Sequence, residues 1–310
     1  MPLSLTAFQH HNKEDTMIIS CDTTPKVEDG YINIGKSSLY YKTIGKGEPL
    51  IVLHGGPGFD HQGLMPYIGN LGKYCKVVLY DQRGSGMSTG PVDAASINVD
   101  RFVEDIEIIR KQLGVEKINL SGISWGGMLA LFYGVKYPDK LNSLVLFSTA
   151  ASAEMFLKFF PALKKKRTKE DSELIEGIKN SDGFKDNEPK VLEEFFSIFC
   201  KAYFADQSLA SKIDVTINEN TAKNHWAIDN FIMASIGNFD LHNQLNVIDC
   251  PTLIMHGRQD PMPLEAAVQI NENIPNSELV VFENSGHFIF IEEEEKFNST
   301  VSDFLSKIKY

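Results

Sequence analysis

The chain has 310 residues, 43% of them apolar and 23% charged, a balance that excludes a disordered chain, a collagen and a disulfide-dense miniprotein. Its 41 Asp and Glu against 30 Lys and Arg give a net charge of −11, which repels phosphate backbones and anionic lipid and argues against nucleic-acid or membrane partners. At roughly 150 residues per domain, the length suits two domains or one large one.

Residues 1–28 are polar and aperiodic and read as a loose arm. They carry no basic n-region, so no secretory signal is expected. No stretch reaches the roughly 18 continuous apolar residues of a membrane helix. Cys21, Cys75, Cys200 and Cys250 lie far apart with no CxxC pair. Free thiols in a reducing cytoplasm are therefore expected, rather than a disulfide framework or a zinc site.

Alternating runs at 31–34 and 38–43, split by Gly35-Lys36-Ser37, predict an antiparallel hairpin. Short, near-continuous apolar runs follow at 49–53, 76–80, 117–121, 144–147, 252–256 and 278–282. Runs of this kind are buried on both faces and belong to parallel strands covered by helices. Helical periodicity lies between or after them at 99–113, 128–137, 264–273 and 297–308. This alternation predicts an α/β fold with a mostly parallel central sheet flanked by helices. Between 151 and 240 the rhythm breaks. Amphipathic stretches at 153–166, 171–180, 189–204 and 224–236 occur there without strand runs. The expected organisation is a catalytic domain of residues 29–150 and 241–310, with a helical cap of residues 151–240 inserted in it.

Gly122-Ile-Ser-Trp-Gly126 fits G-x-S-x-G between a predicted strand and a predicted helix. Such a turn is tight, demands small residues and lifts the serine into a strained conformation. Ser124 is therefore the candidate nucleophile. A serine hydroxyl needs a base, and the base needs an orienting group. In the order Ser…Asp…His, the base is His287 in Asn284-Ser-Gly-His287. The acid is Asp260, at the end of the run 252–256, and activity should fall as His287 protonates in mildly acidic solution. His54-Gly-Gly-Pro-Gly58 follows the run 49–53 and can aim backbone N–H groups above Ser124. Gly56 and Trp125 are the expected oxyanion donors. No Lys-Ser/Thr follows these glycines, so a phosphate loop is excluded. His54, His256 and Asp260 show no metal-ligand spacing, so neither a metal nor a cofactor is expected. Asp81 and Arg83, in the Gly-containing loop after 76–80, are expected to satisfy backbone groups near the site.

The set HGGPG at 54–58, DQRGSGMS at 81–88, GISWGG at 122–127, GRQD at 257–260 and SGH at 285–287 resembles the proline iminopeptidase branch of the α/β-hydrolase superfamily. The resemblance runs from about residue 30 to the C-terminus and is weakest in the cap. It implies Ser124, Asp260 and His287 as a triad, Gly56 and Trp125 as oxyanion donors, and release of an N-terminal residue, often proline, from short peptides. Two positions depart from the branch. Ile123 stands where these peptidases commonly carry Gly, and Pro261 follows Asp260 where an amine-gripping acid is usual. Glu193, Glu194, Glu219 and Glu265 are the expected substitutes for binding a substrate amine.

Cap charge is uneven: six basic residues and no acid lie between 158 and 169, then a deficit of seven spans 170–219. The run Lys164–Arg167 reads as a solvated helix face, and Glu292–Glu295 as acids favouring the last helix's N-terminus. Three functions compete: a peptidase of the iminopeptidase kind, a carboxylesterase or lactonase on small apolar acyl substrates, and a ligand-binding protein on a hydrolase scaffold.

Overall fold

The computed structural model describes residues 26–309. Most of the predicted arm, residues 1–25 with Cys21, lies outside them. Its last residues are not loose: β1 (Val27–Ile34) already runs from Val27 and pairs with β2 (Ser37–Ile44) in the expected antiparallel hairpin. The other strands are β3 (Pro49–Leu53), β4 (Lys76–Tyr80), β5 (Ile118–Ile123), β6 (Leu141–Phe147), β7 (Thr252–Gly257) and β8 (Ser277–Phe282). They form one sheet in the order β1-β2-β4-β3-β5-β6-β7-β8. The β1–β2 and β2–β4 pairings are antiparallel and all the others parallel.

Period-2 alternation sends side chains to two cores, one on each face. Ile51, Leu53, Val78, Tyr80, Leu144 and Leu146 enter one. Leu50, Val52, Val77, Leu79, Val145 and Phe147 enter the other. The helices Val99–Gln112, Trp125–Lys136, Leu264–Asn273 and Glu294–Ser306 cover the sheet. Asn98 caps the first of them, accepting from Arg101 N.

Between β6 and β7 the described chain is helical: Ala153–Lys166, Lys169–Asn180, Asp182–Lys185, Pro189–Phe199 and Glu219–Ile236, with short 3-10 turns. Its two ends run side by side. Ala153 N donates to Phe239 O (2.8 Å) and Leu241 N to Ala151 O (2.9 Å). Phe195, Phe196, Leu192 and Ile175 form a small core of its own. The Glu219–Ile236 helix is fastened to the loop after β4: Asn220 Nδ2 donates to Gly86 O (3.0 Å) and Ser88 O (2.9 Å), and Asn224 Nδ2 to Gly84 O (2.9 Å). Among the described residues, no helix is long and apolar enough to cross a membrane.

Candidate active site

The turn from β5 into the Trp125–Lys136 helix holds Ser124 at φ 52° and ψ −120°. This is a costly conformation for a side chain with a Cβ, and the surroundings enforce it. Ser124 N donates to Phe147 O (3.1 Å); Ser124 O accepts from Met128 N (3.0 Å) and Thr149 Oγ1 (2.7 Å). The flanking glycines are required by close approach. A Cβ on Gly122 would lie 2.3 Å from Gly126 O, and one on Gly126 would lie 2.3 Å from Leu53 O. Ile123 needs no such space: it is buried and lines the cavity above the turn.

His287 and Asp260 meet across the ends of β7 and β8. His287 Nδ1 lies 2.9 and 3.0 Å from the two carboxylate oxygens of Asp260. A carboxylate there holds the proton on Nδ1 and makes Nε2 the basic nitrogen. Burial pushes the Asp260 carboxyl up. The neighbouring His287 and His256 and the Met262 N–H outweigh that and hold it below the usual carboxylate range. Met262 N donates to Asp260 Oδ1 (2.7 Å), and His256 Nε2–H donates to Met262 O (2.9 Å), so the Asp260 loop is braced from β7. The imidazole of His287 sits among the rings of Phe159, Tyr203 and Phe288.

Ser124 and His287 line one cavity of about 460 Å³, together with Gly56 and Trp125. Gly56 has φ 60°, and a Cβ on it would meet the Phe59 ring at 2.4 Å. Trp125 opens its helix, where first-turn N–H groups have no intrahelical acceptor. The rest of the wall is largely aromatic, including Phe156, Phe159, Phe195, Phe196, Phe199 and Trp226.

The four expected amine-binding glutamates are not on this wall. Glu193 is turned to Lys190 (2.7 Å) and Ile217 N (3.1 Å), and Glu265 to Lys158 (3.5 Å). Glu194 and Glu219 are exposed. The acids that do line the cavity are Asp60, Asp214 and Asp229. Burial pushes the Asp229 carboxyl up. Asp60, His61 and Asp81 place three ligand-type atoms within 4.8 Å of one another, and protein groups occupy them. Asp81 accepts from His61 N, His61 Nδ1 and Met87 N, and Asp60 accepts from Gln62 N, Asn218 Nδ2 and Thr221 Oγ1. Asp81 thus satisfies backbone groups as expected, whereas Arg83 pairs with the Asp105 carboxylate (2.6 Å).

Several supporting groups have no motif. Ser148, at φ 52°, donates from Oγ to His287 O (2.8 Å), while His287 N donates to Tyr203 O (2.7 Å). Glu292 does not serve the last helix. It accepts from Gly286 N (2.6 Å), Ala205 N (2.8 Å) and Asp206 N (3.1 Å) and so ties the His287 loop to the helical segment. Nor is the whole basic run solvated. Lys166 Nζ donates to Phe204 O and Gln259 O (both 2.9 Å), and Arg167 lies 4.1 Å from the Phe199 ring centroid.

The family model for the alpha/beta hydrolase fold matches residues 48–294. The chain belongs to this family. It is 31% identical over 292 residues to the proline iminopeptidase of Saccharolobus solfataricus, covering 91% of this chain and 93% of that one. It is also 31% identical over 287 residues to the proline iminopeptidase of Heyndrickxia coagulans, covering 90% and 99%. The crystal structure of the Mycobacterium smegmatis proline iminopeptidase superposes with a TM-score of 0.67 at 22% identity, over 90% of this chain and 98% of that one. Within the family the chain is proline iminopeptidase-like.

Proposed function

We propose that this protein is a serine aminopeptidase that releases N-terminal proline, or another small apolar residue, from short peptides. The observation that carries the reading is that His287, paired with the buried Asp260 behind it, lines the same cavity as a strained Ser124. In this reading Ser124 Oγ attacks the scissile carbonyl while His287 Nε2 takes its proton. The oxyanion is met by the N–H groups of Gly56 and Trp125. His287 then protonates the departing amine. Water, deprotonated by the same imidazole, cleaves the acyl-enzyme. Asp260 stays ionised throughout and stabilises the imidazolium.

Substrate recognition is assigned to the cavity acids. Asp229 projects from the Glu219–Ile236 helix into a largely aromatic wall, where a bound ammonium would offset its desolvation. Asp214 stands at the same cavity. The cap reading of residues 151–240 belongs here too, because this segment supplies the wall above Ser124. The reading includes a reducing, cytoplasmic setting, on the wide spacing of the four cysteines in the sequence.

The aromatic wall favours one second reading, an esterase or lactonase for apolar acyl groups. The two separate on three substrates: a proline arylamide, its amine-blocked form and a short-chain nitrophenyl ester. Arylamide turnover abolished by blocking the amine is the expected result. Ester turnover with no arylamide turnover would overturn the peptidase reading.

A further inference from the structure

Gln82, in the loop after β4, is 1% exposed and is not on the cavity wall, yet it joins both sides of the oxyanion region. Its main-chain N–H donates to His54 Nε2 (3.2 Å) and its side-chain Nε2 donates to His54 O (3.1 Å). Its Oε1 accepts from Trp125 Nε1 (2.8 Å). With Nε2 accepting, His54 carries its proton on Nδ1, which lies 3.1 Å from Gly55 O. The peptide leading into Gly55 and Gly56 and the residue after Ser124 are thus held by opposite ends of one amide.

We propose that Gln82 is the positioning residue of the oxyanion hole: it sets the separation and aim of the Gly56 and Trp125 N–H groups. This rests on the hydrolase reading in which those groups meet the developing oxyanion. Three observations carry it. The bonding is complementary in direction, because the His54 carbonyl needs a donor and the Trp125 indole needs an acceptor, and the glutamine amide supplies both without a titratable group. The bonds are buried, so neither partner has water as a substitute. The two segments are also in contact, since a Cβ on Gly126 would lie 2.6 Å from His54 O. A shift of one is therefore transmitted to the other. Phe102 packs edge-on against the Trp125 ring.

The test uses the full chain and its best arylamide or ester substrate. Gln82→Met keeps volume and removes both bonds. It is expected to lower kcat by about 10- to 100-fold while KM moves little, as for donors displaced from a transition-state oxygen. The Ki of a boronic acid that forms a tetrahedral adduct should rise in proportion to the loss in kcat/KM, while Ki for the carboxylic acid product stays the same. A purely structural role would not separate those inhibitors. Trp125→Phe keeps the backbone donor and loses the indole. Combined with Gln82→Met, its loss should be less than the product of the single losses, because both remove one bond. Should Gln82→Met fail to fold, Trp125→Phe alone removes the indole bond to Gln82 and is expected to show the same inhibitor split at smaller amplitude. A variant with kcat within threefold of wild type, or with boronate and product weakened equally, overturns the proposal. Wild-type protein that binds no boronate would instead overturn the hydrolase reading beneath it.

Discussion

His225 gives a prediction that can be worked to a number. It is 6% exposed, its ring lies 4.4 to 5.4 Å from those of Phe59, Trp226 and Phe196, and its Nδ1 is buried without a partner. Burial, only partly opposed by the Pro57 carbonyl, pushes its pKa down from 6.5 to about 4. Below pH 6.5 the unfolded chain therefore binds a proton at this position that the folded chain refuses. Stability from this group is complete above pH 6.5 and is lost as pH falls toward about 4. At about 1.36 kcal/mol per pH unit, integration from pH 7.0 to 4.5 gives a loss of about 2 kcal/mol. His225→Phe keeps an aromatic ring in the cluster and removes the titration. Urea unfolding of both proteins at the two pH values isolates the effect, because His54 and His256, also pushed down by burial, are common to both. Wild type should lose about 2 kcal/mol more than His225→Phe between pH 7.0 and 4.5. Equal losses would refute the reasoning.

Three further changes probe the frame of the site. Phe204 is fully buried against Phe288, so Phe204→Ala should destabilise by about 3–5 kcal/mol in urea at pH 7; less than about 1 would mean the ring is not part of the core. Gly126→Ala puts a Cβ 2.3 Å from Leu53 O, a backbone atom of β3. It should cost about 3 kcal/mol and reduce kcat, and a variant with wild-type Tm and rate would contradict the contact. Glu292→Ala leaves Gly286 N, Ala205 N and Asp206 N without their acceptor and should lower both Tm and kcat, by about 1–3 kcal/mol in stability. Glu292→Gln keeps one acceptor oxygen, enough for Ala205 N and Asp206 N, but sets an NH2 against Gly286 N, so it should recover only part of that loss; full recovery would contradict the Gly286 bond.

The sheet was legible because its strands are buried on both faces, which leaves near-continuous apolar runs such as 49–53 and 76–80. The start of β1 was not, because Val27, Glu28 and Asp29 lie exposed on an edge strand and carry no apolar signal. The helix after Ser124 begins at Trp125, three residues before its apolar periodicity shows. Gly126 and Gly127 are poor helix formers, kept there by close contacts with Leu53 O and the Thr149 side chain. Likewise the Glu219–Ile236 helix opens with a polar turn capped by Asn218, and only its later residues read as helical.

Within the site, Ser124, Asp260 and His287 were legible as motif residues at strand ends. The cavity acids were not. Which face of an inserted helix points inward depends on how it packs, and no periodicity separates Asp229 from Glu219 on the same helix. Asp229 follows His225 by one turn and shares its wall, whereas Glu219, the first residue of the helix, is itself exposed. Ser148, Glu292 and Lys166 act through the backbone of distant segments, a relation that only the folded chain brings about.

The most direct measurement is covalent. Wild-type protein incubated with an organophosphonofluoridate should gain one phosphonyl group, found by peptide mass spectrometry on Ser124, in step with loss of activity. Ser124→Ala should take up no label and retain less than about a thousandth of the wild-type rate. Label on another residue, or a Ser124→Ala variant above that rate, would contradict Ser124 as the nucleophile.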